Sequence, residues 1–148
     1  MNKPRITWFV KEDGGYVPKQ KHHAGTYTPD NPIVLHLQVW NNRWGTEDVE
    51  TIENPVLNFY FDTFEDKSLL ERCKITFDEI NLAPLIIKGE KATAIIGRPL
   101  SGKKNNGDEE SAANRDNFID IKFEFRADGY RLKENDLKNI YFEIVPMN

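Results

Sequence analysis

Residues 94–105 read AIIGRPLSGKKN, and Gly97, Gly102 and Lys103 occupy the glycine and lysine places of a G-x-x-x-x-G-K-[ST] phosphate loop. Such a loop cradles phosphates with backbone N–H groups at the start of a helix, and its Ser or Thr ligates magnesium. Here Lys104 stands in the metal-ligand place, Pro99 restricts the curve, and NNGDEES follows, which is loop composition. The stretch therefore reads as a surface loop rather than a nucleotide site. His22, His23 and His36 show no H-x-x-x-H spacing, and neighbours on an extended chain point opposite ways, so no metal site is predicted. The single cysteine, Cys73, falls on the inward side of its segment and reads as a small core residue. No G-x-S-x-G is present, and the acidic clusters Glu47-Asp48, Glu65-Asp66 and Asp108-Glu109-Glu110 read as solvated loop surface. Neither a cofactor nor a catalytic residue is expected.

The most distinctive stretch is VWNNRWGTEDVETIENP, in which Trp40 and Trp44 flank Arg43. Three readings compete. Trp44 can fold back over an open end of the protein with Arg43 stacked on an indole. It can stand out as an anchor for a partner, since Trp, Tyr and Arg concentrate binding energy at interfaces. Or Trp40 and Trp44 can join outward-facing Tyr60 or Tyr141 as a sugar-stacking platform, although sheet-surface aromatics also pair simply with one another.

The elements that must carry these residues follow from composition and periodicity. A chain of 148 residues with nine Phe, five Tyr and three Trp is long enough for one packed domain over 1–148. A formal charge of −4 with both signs interspersed argues against a general nucleic-acid binder. One cysteine forms no internal disulfide, which favours a cytosolic origin, and neither a secretory apolar region nor a membrane-span-length run is visible. No membrane partner is expected.

Alternation with period two dominates. In FIDIKFEFR, Ile119, Ile121, Phe123 and Phe125 share one side, and Asp120, Lys122, Glu124 and Arg126 the other. IVLHLQVW sets Ile33, Leu35, Leu37 and Val39 against Val34, His36, Gln38 and Trp40. LNFYFD and NIYFEIVP repeat the pattern, RITWFV and ERCKITFD follow it less cleanly, and PLIIKGEKATAIIG reads as one or two strands interrupted near Gly89. Short helices are possible over GTEDVETIE and LKENDLKN. Seven or eight half-wet strands predict an all-β, antiparallel two-sheet β-sandwich, immunoglobulin-like in topology with a jelly roll as second choice.

Three long connections remain, 11–32, 41–55 and 97–117. Connections of this length are functional or disordered in most compact domains. The last is polar, its charges balance, and nothing bulky and apolar follows Leu100, so alone it should be mobile and should gain order on a partner. The predicted partner contacts are Arg43, Trp44, Arg98, Lys103, Lys104 and Arg115, with Tyr16 and Tyr27 from the 11–32 arm.

The disulfide-free strand pattern, the Trp-ended strand running into NNRWGTEDV, and the alternating NFYFD resemble the immunoglobulin-like auxiliary or decoration capsid proteins of tailed bacteriophages. That resemblance implies a non-enzymatic structural module bound in many copies to capsid or tail subunits of a virion assembled in the host cytoplasm. The alternative function is a carbohydrate-binding sandwich module whose partners are glycans.

Overall fold

The computed structural model describes residues 1–23, 33–61, 67–126 and 139–145. Within them run β1 (Ile6–Glu12), β2 (Gly15–Pro18), β3 (Lys21–His23), β4 (Ile33–Asn41), β5 (Val56–Phe61), β6 (Cys73–Phe77), β7 (Asn81–Leu82), β8 (Leu85–Lys88), β9 (Lys91–Ile95), β10 (Phe118–Phe125) and β11 (Asn139–Val145). Every segment that alternates in the sequence is a strand, and the stretch around Gly89 resolves into the hairpin β8–β9, closed by the pair Lys88 and Lys91. The three additional strands are short. Two of them, β2 and β3, occupy seven of the 22 residues of the connection expected over 11–32. The rest of that arm, with Tyr27, lies outside the described residues.

All strand pairs are antiparallel, in a six-stranded sheet ordered β2-β1-β4-β10-β6-β7 and a five-stranded sheet ordered β3-β11-β5-β9-β8. The two sheets pack as a sandwich. Within that class the pairing order decides the topology. β3 pairs with β11, β4 with β10, and β5 with β9, each pair enclosing the next. Paired strands rolled up in this nested way make a jelly roll, the second of the two expected topologies. Immunoglobulin order would set the second long strand beside the fifth, whereas β4 lies beside the penultimate strand β10.

The inward rows of both sheets meet in one core that includes Trp8, Leu37, Val39, Leu57, Phe59, Ile121, Phe123 and Phe142. Phe59 of one sheet stacks on Phe123 of the other at 5.3 Å between ring centres. Burying one such side chain is worth about 1.5–3 kcal/mol, so this face outweighs any local preference for helix. Residues 45–53, a possible helix by sequence, form bends instead. Val49 N–H donates to Gly102 C=O and Ile52 N–H to Leu100 C=O, which spends on a distant segment the groups a helix would use internally. Val49 and Ile52 are buried by the same contacts. The other helix candidate falls almost wholly outside the described residues.

Candidate functional site

On the outer face of the six-stranded sheet, Phe9, Trp40 and Phe118 form a second buried cluster with Tyr16 packed against it. Trp40 stacks on Phe118 at 4.4 Å. The alternation correctly turns Trp40 away from the main core, yet it is 0% exposed, because residues 41–52 and 97–117 fold over that end of the sheet as a roof. Its indole N–H donates to Gln38 Oε1 at 3.0 Å, and Gln38 Nε2 donates to Asp120 Oδ1 at 2.8 Å.

The roof is stapled by asparagine side chains. Asn41 Nδ2 donates to the carbonyls of Glu50 and Leu100. Asn42 Nδ2 donates to Glu47 and Gly102 carbonyls at 2.7 and 2.9 Å, and Asn105 Nδ2 reaches back to Asn42 C=O at 2.8 Å. Asn117 Nδ2 donates to Ser101 and Lys103 carbonyls, and Asn114 Nδ2 to Asn106 Oδ1 and Asp108 C=O. A short 3₁₀ stretch, Ala112–Asn117, delivers the last two residues. The expectation that 97–117 is mobile without a partner is therefore corrected: its backbone is held by its own chain. Asparagine suits this work because one side chain offers both a donor and an acceptor and imitates a peptide group. The sequence signal is the Asn-Asn step that each of the two connections carries, Asn41-Asn42 and Asn105-Asn106.

The phosphate-loop likeness has a packing explanation. A Cβ on Gly102 would stand 2.2 Å from Val49 O, so glycine lets two backbones touch there. The N–H of Lys103 donates to Ser101 Oγ and that of Lys104 to Asp48 Oδ1, so neither is turned toward a phosphate.

Arg43 fills the gap between the aromatics. Its guanidinium carbon lies 4.2 Å from the Trp44 ring centre and 4.5 Å from both Phe9 and Trp40, and its Nε donates to Gly107 C=O at 3.1 Å. Burial lowers its pKa from the ordinary value, and the negative charge of Glu109 works against that shift. Trp44 itself is 59% exposed. It is nevertheless fixed: its φ is 60°, its N–H donates to Asn105 Oδ1 at 3.1 Å, and its indole lies so close to Gly107 that a Cβ there would fall 2.0 Å from Nε1. Left-handed backbone at a bulky residue costs free energy and persists only where the surroundings over-determine it.

The other predicted contacts divide. Arg98 ties the roof to the sheet, with Nε and Nη2 on Asp78 at 2.5 and 3.0 Å, so it is largely committed within the chain. Arg115 pairs with Asp120 at 3.1 Å and covers the Phe118 ring at 5.0 Å. Lys103 and Lys104 are exposed on the roof beside Asp48. Tyr16 is half-buried, its hydroxyl pKa pushed up from 10.0 to about 12 by burial first and then by Asp120 and Glu109.

The proposed sugar platform is not assembled. Trp40 is covered, and Trp44 belongs to the outer face of the six-stranded sheet. Tyr60 and Tyr141 lie on the outer face of the five-stranded sheet, on the opposite side of the sandwich. Those two rings stack on each other at 5.1 Å, with Lys91 over Tyr60 at 4.8 Å and Lys21 over Tyr141 at 5.8 Å, so their faces are already occupied. Beside them Glu143 Oε1 accepts from Lys91 Nζ at 2.6 Å and from Asn58 Nδ2 at 3.0 Å, and the first of these holds its carboxyl below the usual carboxylate range.

Among the described residues, no group of three or more His, Cys, Asp or Glu is placed to hold a metal, and no helix is long and apolar enough to cross a membrane. The fold and site thus define a jelly-roll β-sandwich that presents one fixed, exposed tryptophan on an asparagine-stapled roof. Compared with known proteins, the chain matches no family model, no curated sequence and no solved structure.

Proposed function

We propose that the protein is a non-enzymatic interaction module that docks a protein partner through Trp44 and the roof around it. The observation that carries this reading is a tryptophan 59% exposed while its backbone is held at φ 60° by the loops beneath it. An exposed indole wastes apolar surface in the free protein, and fixing it in advance removes the ordering cost that binding would otherwise incur. Seated on Arg43, with exposed Lys103, Lys104, Glu47 and Asp48 on the same two roof segments, it has the make-up of an interface hot spot. In the cleft of about 1280 Å³ between β1 and β11, the lining carboxylate Glu143 is already committed to Lys91 and Asn58. The resemblance to capsid decoration proteins, whose immunoglobulin order this fold does not share, suggests a narrower form in which the partner is a repeated virion subunit.

The test is site-specific photo-crosslinking in the source cells, with a benzophenone amino acid at position 44 and, as a control on the opposite face, at position 60. One saturable adduct from position 44, absent from position 60, supports the reading. Matching adduct patterns from both positions defeat it. A virion subunit in that adduct supports the narrower form.

A further inference from the structure

Four strands end the two sheets, and three of them are blunted in ways that discourage pairing with another chain. β7 has two residues, β3 has three and begins with Lys21, and β2 starts at Gly15 and ends on Pro18. β8 differs. It reads Leu85-Ile86-Ile87-Lys88, pairs only with β9 among the described strands, and has no proline or charge before its last residue. Edge strands of this kind are templates for strand addition. The apolar surface continues around it: Ile80 is 87% exposed, Leu82 64% and Ile86 44%, and a cleft of about 440 Å³ lined by Leu82, Pro84, Leu85, Ile87 and Ile75 opens between this edge and β6.

We propose that β8 pairs with β8 of a second copy of this chain, antiparallel about a two-fold axis at Ile86, joining the two five-stranded sheets edge to edge. The register is chosen by hydrogen bonding and by side-chain match. Ile95 N–H donates to Pro84 C=O, so the backbone groups of 84, 86 and 88 turn toward β9 and those of Leu85 and Ile87 turn outward. Centring on Ile86 sets Leu85 opposite the second copy's Ile87, and Ile87 opposite its Leu85. Both pairs are then hydrogen-bonded, giving four new backbone bonds. Ile86 meets its own copy on the outer face, and Leu85 meets Ile87 on the inner face. Centring on Ile87 would instead set Ile86 against Lys88. The pairing is thus self-complementary, as an isologous interface requires. Leu82, which lines the cleft beside Leu85 and Ile87, extends the contact from the strand pair toward the about 800 Å² per partner of a standard stable interface.

Sedimentation equilibrium of the purified protein across the micromolar range reads the result. Twice the chain mass is expected for the wild type and for Trp44→Ala, which separates this interface from the docking tryptophan. Ile86→Lys sets two ammonium groups face to face on the axis and should return the monomer mass with an unchanged circular dichroism spectrum. As a second variant, Ile86→Cys should form a dimer disulfide under mild oxidation and Lys88→Cys should not, the native Cys73 being buried. A monomeric wild type, a dimer that survives Ile86→Lys, or crosslinking at 88 in place of 86 would each overturn the proposal.

Discussion

The two glycines of the phosphate-loop likeness give a paired experiment. Alanine at Gly102 places a Cβ 2.2 Å from Val49 O, 2.6 Å from Glu50 O and 2.7 Å from Val49 C, all backbone atoms with no rotamer to yield. Relief requires the 100–102 segment to part from 49–52. That breaks the Val49 N–H to Gly102 bond at 2.8 Å and the one from Asn42 Nδ2 at 2.9 Å, and Asn42 is buried. Overpacking of this kind costs about 1–3 kcal/mol. Two lost hydrogen bonds add about 1 kcal/mol each. The sum, ~3–5 kcal/mol, is a large share of the ~5–15 kcal/mol that keeps a domain folded. With a urea dependence of ~2 kcal/mol per molar, the unfolding midpoint should fall by about 2 M. Alanine at Gly97 meets no atom within 4 Å and its backbone lies outside the left-handed region, so it should leave the midpoint unchanged or raise it slightly. Urea titration followed by tryptophan fluorescence measures both. A Gly102→Ala midpoint within about 0.3 M of wild type, the scale of an ordinary surface change, would refute the packing explanation.

Arg43→Ala should remove the guanidinium seat under Trp44, costing ~1–3 kcal/mol from stacking and the Gly107 bond, and should red-shift Trp44 emission; an unshifted spectrum counts against the seat. Tyr16 titrates from 10.0 when unfolded to about 12 when folded, so its contribution is complete below pH 10 and is lost as pH rises through about 12. Tyr16→Phe should therefore blunt the alkaline loss of stability in that window, and an unaltered alkaline profile would contradict the shift. Burial pushes the Cys73 thiol up to about 12, so a thiol reagent should react with the native protein far more slowly than with the urea-unfolded chain. If the sugar-platform alternative held, a glycan panel would change tryptophan fluorescence; the split of its rings over two faces predicts a flat response.

Much of the sandwich was legible because strand alternation is local. Ile119, Ile121, Phe123 and Phe125 face the core as their spacing requires, and so do Leu35, Leu37, Val39 and Cys73. Trp40 and Gln38 show where that reading stops. Their side of the strand was assigned correctly, but a side facing out of one core need not face water, and both are buried by segments distant in sequence. The roof defeated prediction for the same reason. Asn41 bonds Leu100 across 59 positions and Asn117 reaches Asn41 C=O across 76, and no neighbouring residue type announces such a bond. A polar, charge-balanced loop looks unable to order itself when counted by apolar content alone. It orders here because its side-chain amides satisfy backbone groups.

From the sequence by itself came the number of long strands, their inward faces and the two-layer class, since a tetrahedral Cα on extended backbone sends successive side chains to opposite sides. The tertiary structure alone decided the nested pairing order, the second cluster under the roof, the separation of Trp44 from Tyr60 and Tyr141, and the seat of Arg43 among Phe9, Trp40 and Trp44. Those depend on which distant segments meet, a matter of closing loops and matching surfaces in three dimensions rather than of any residue's own preference.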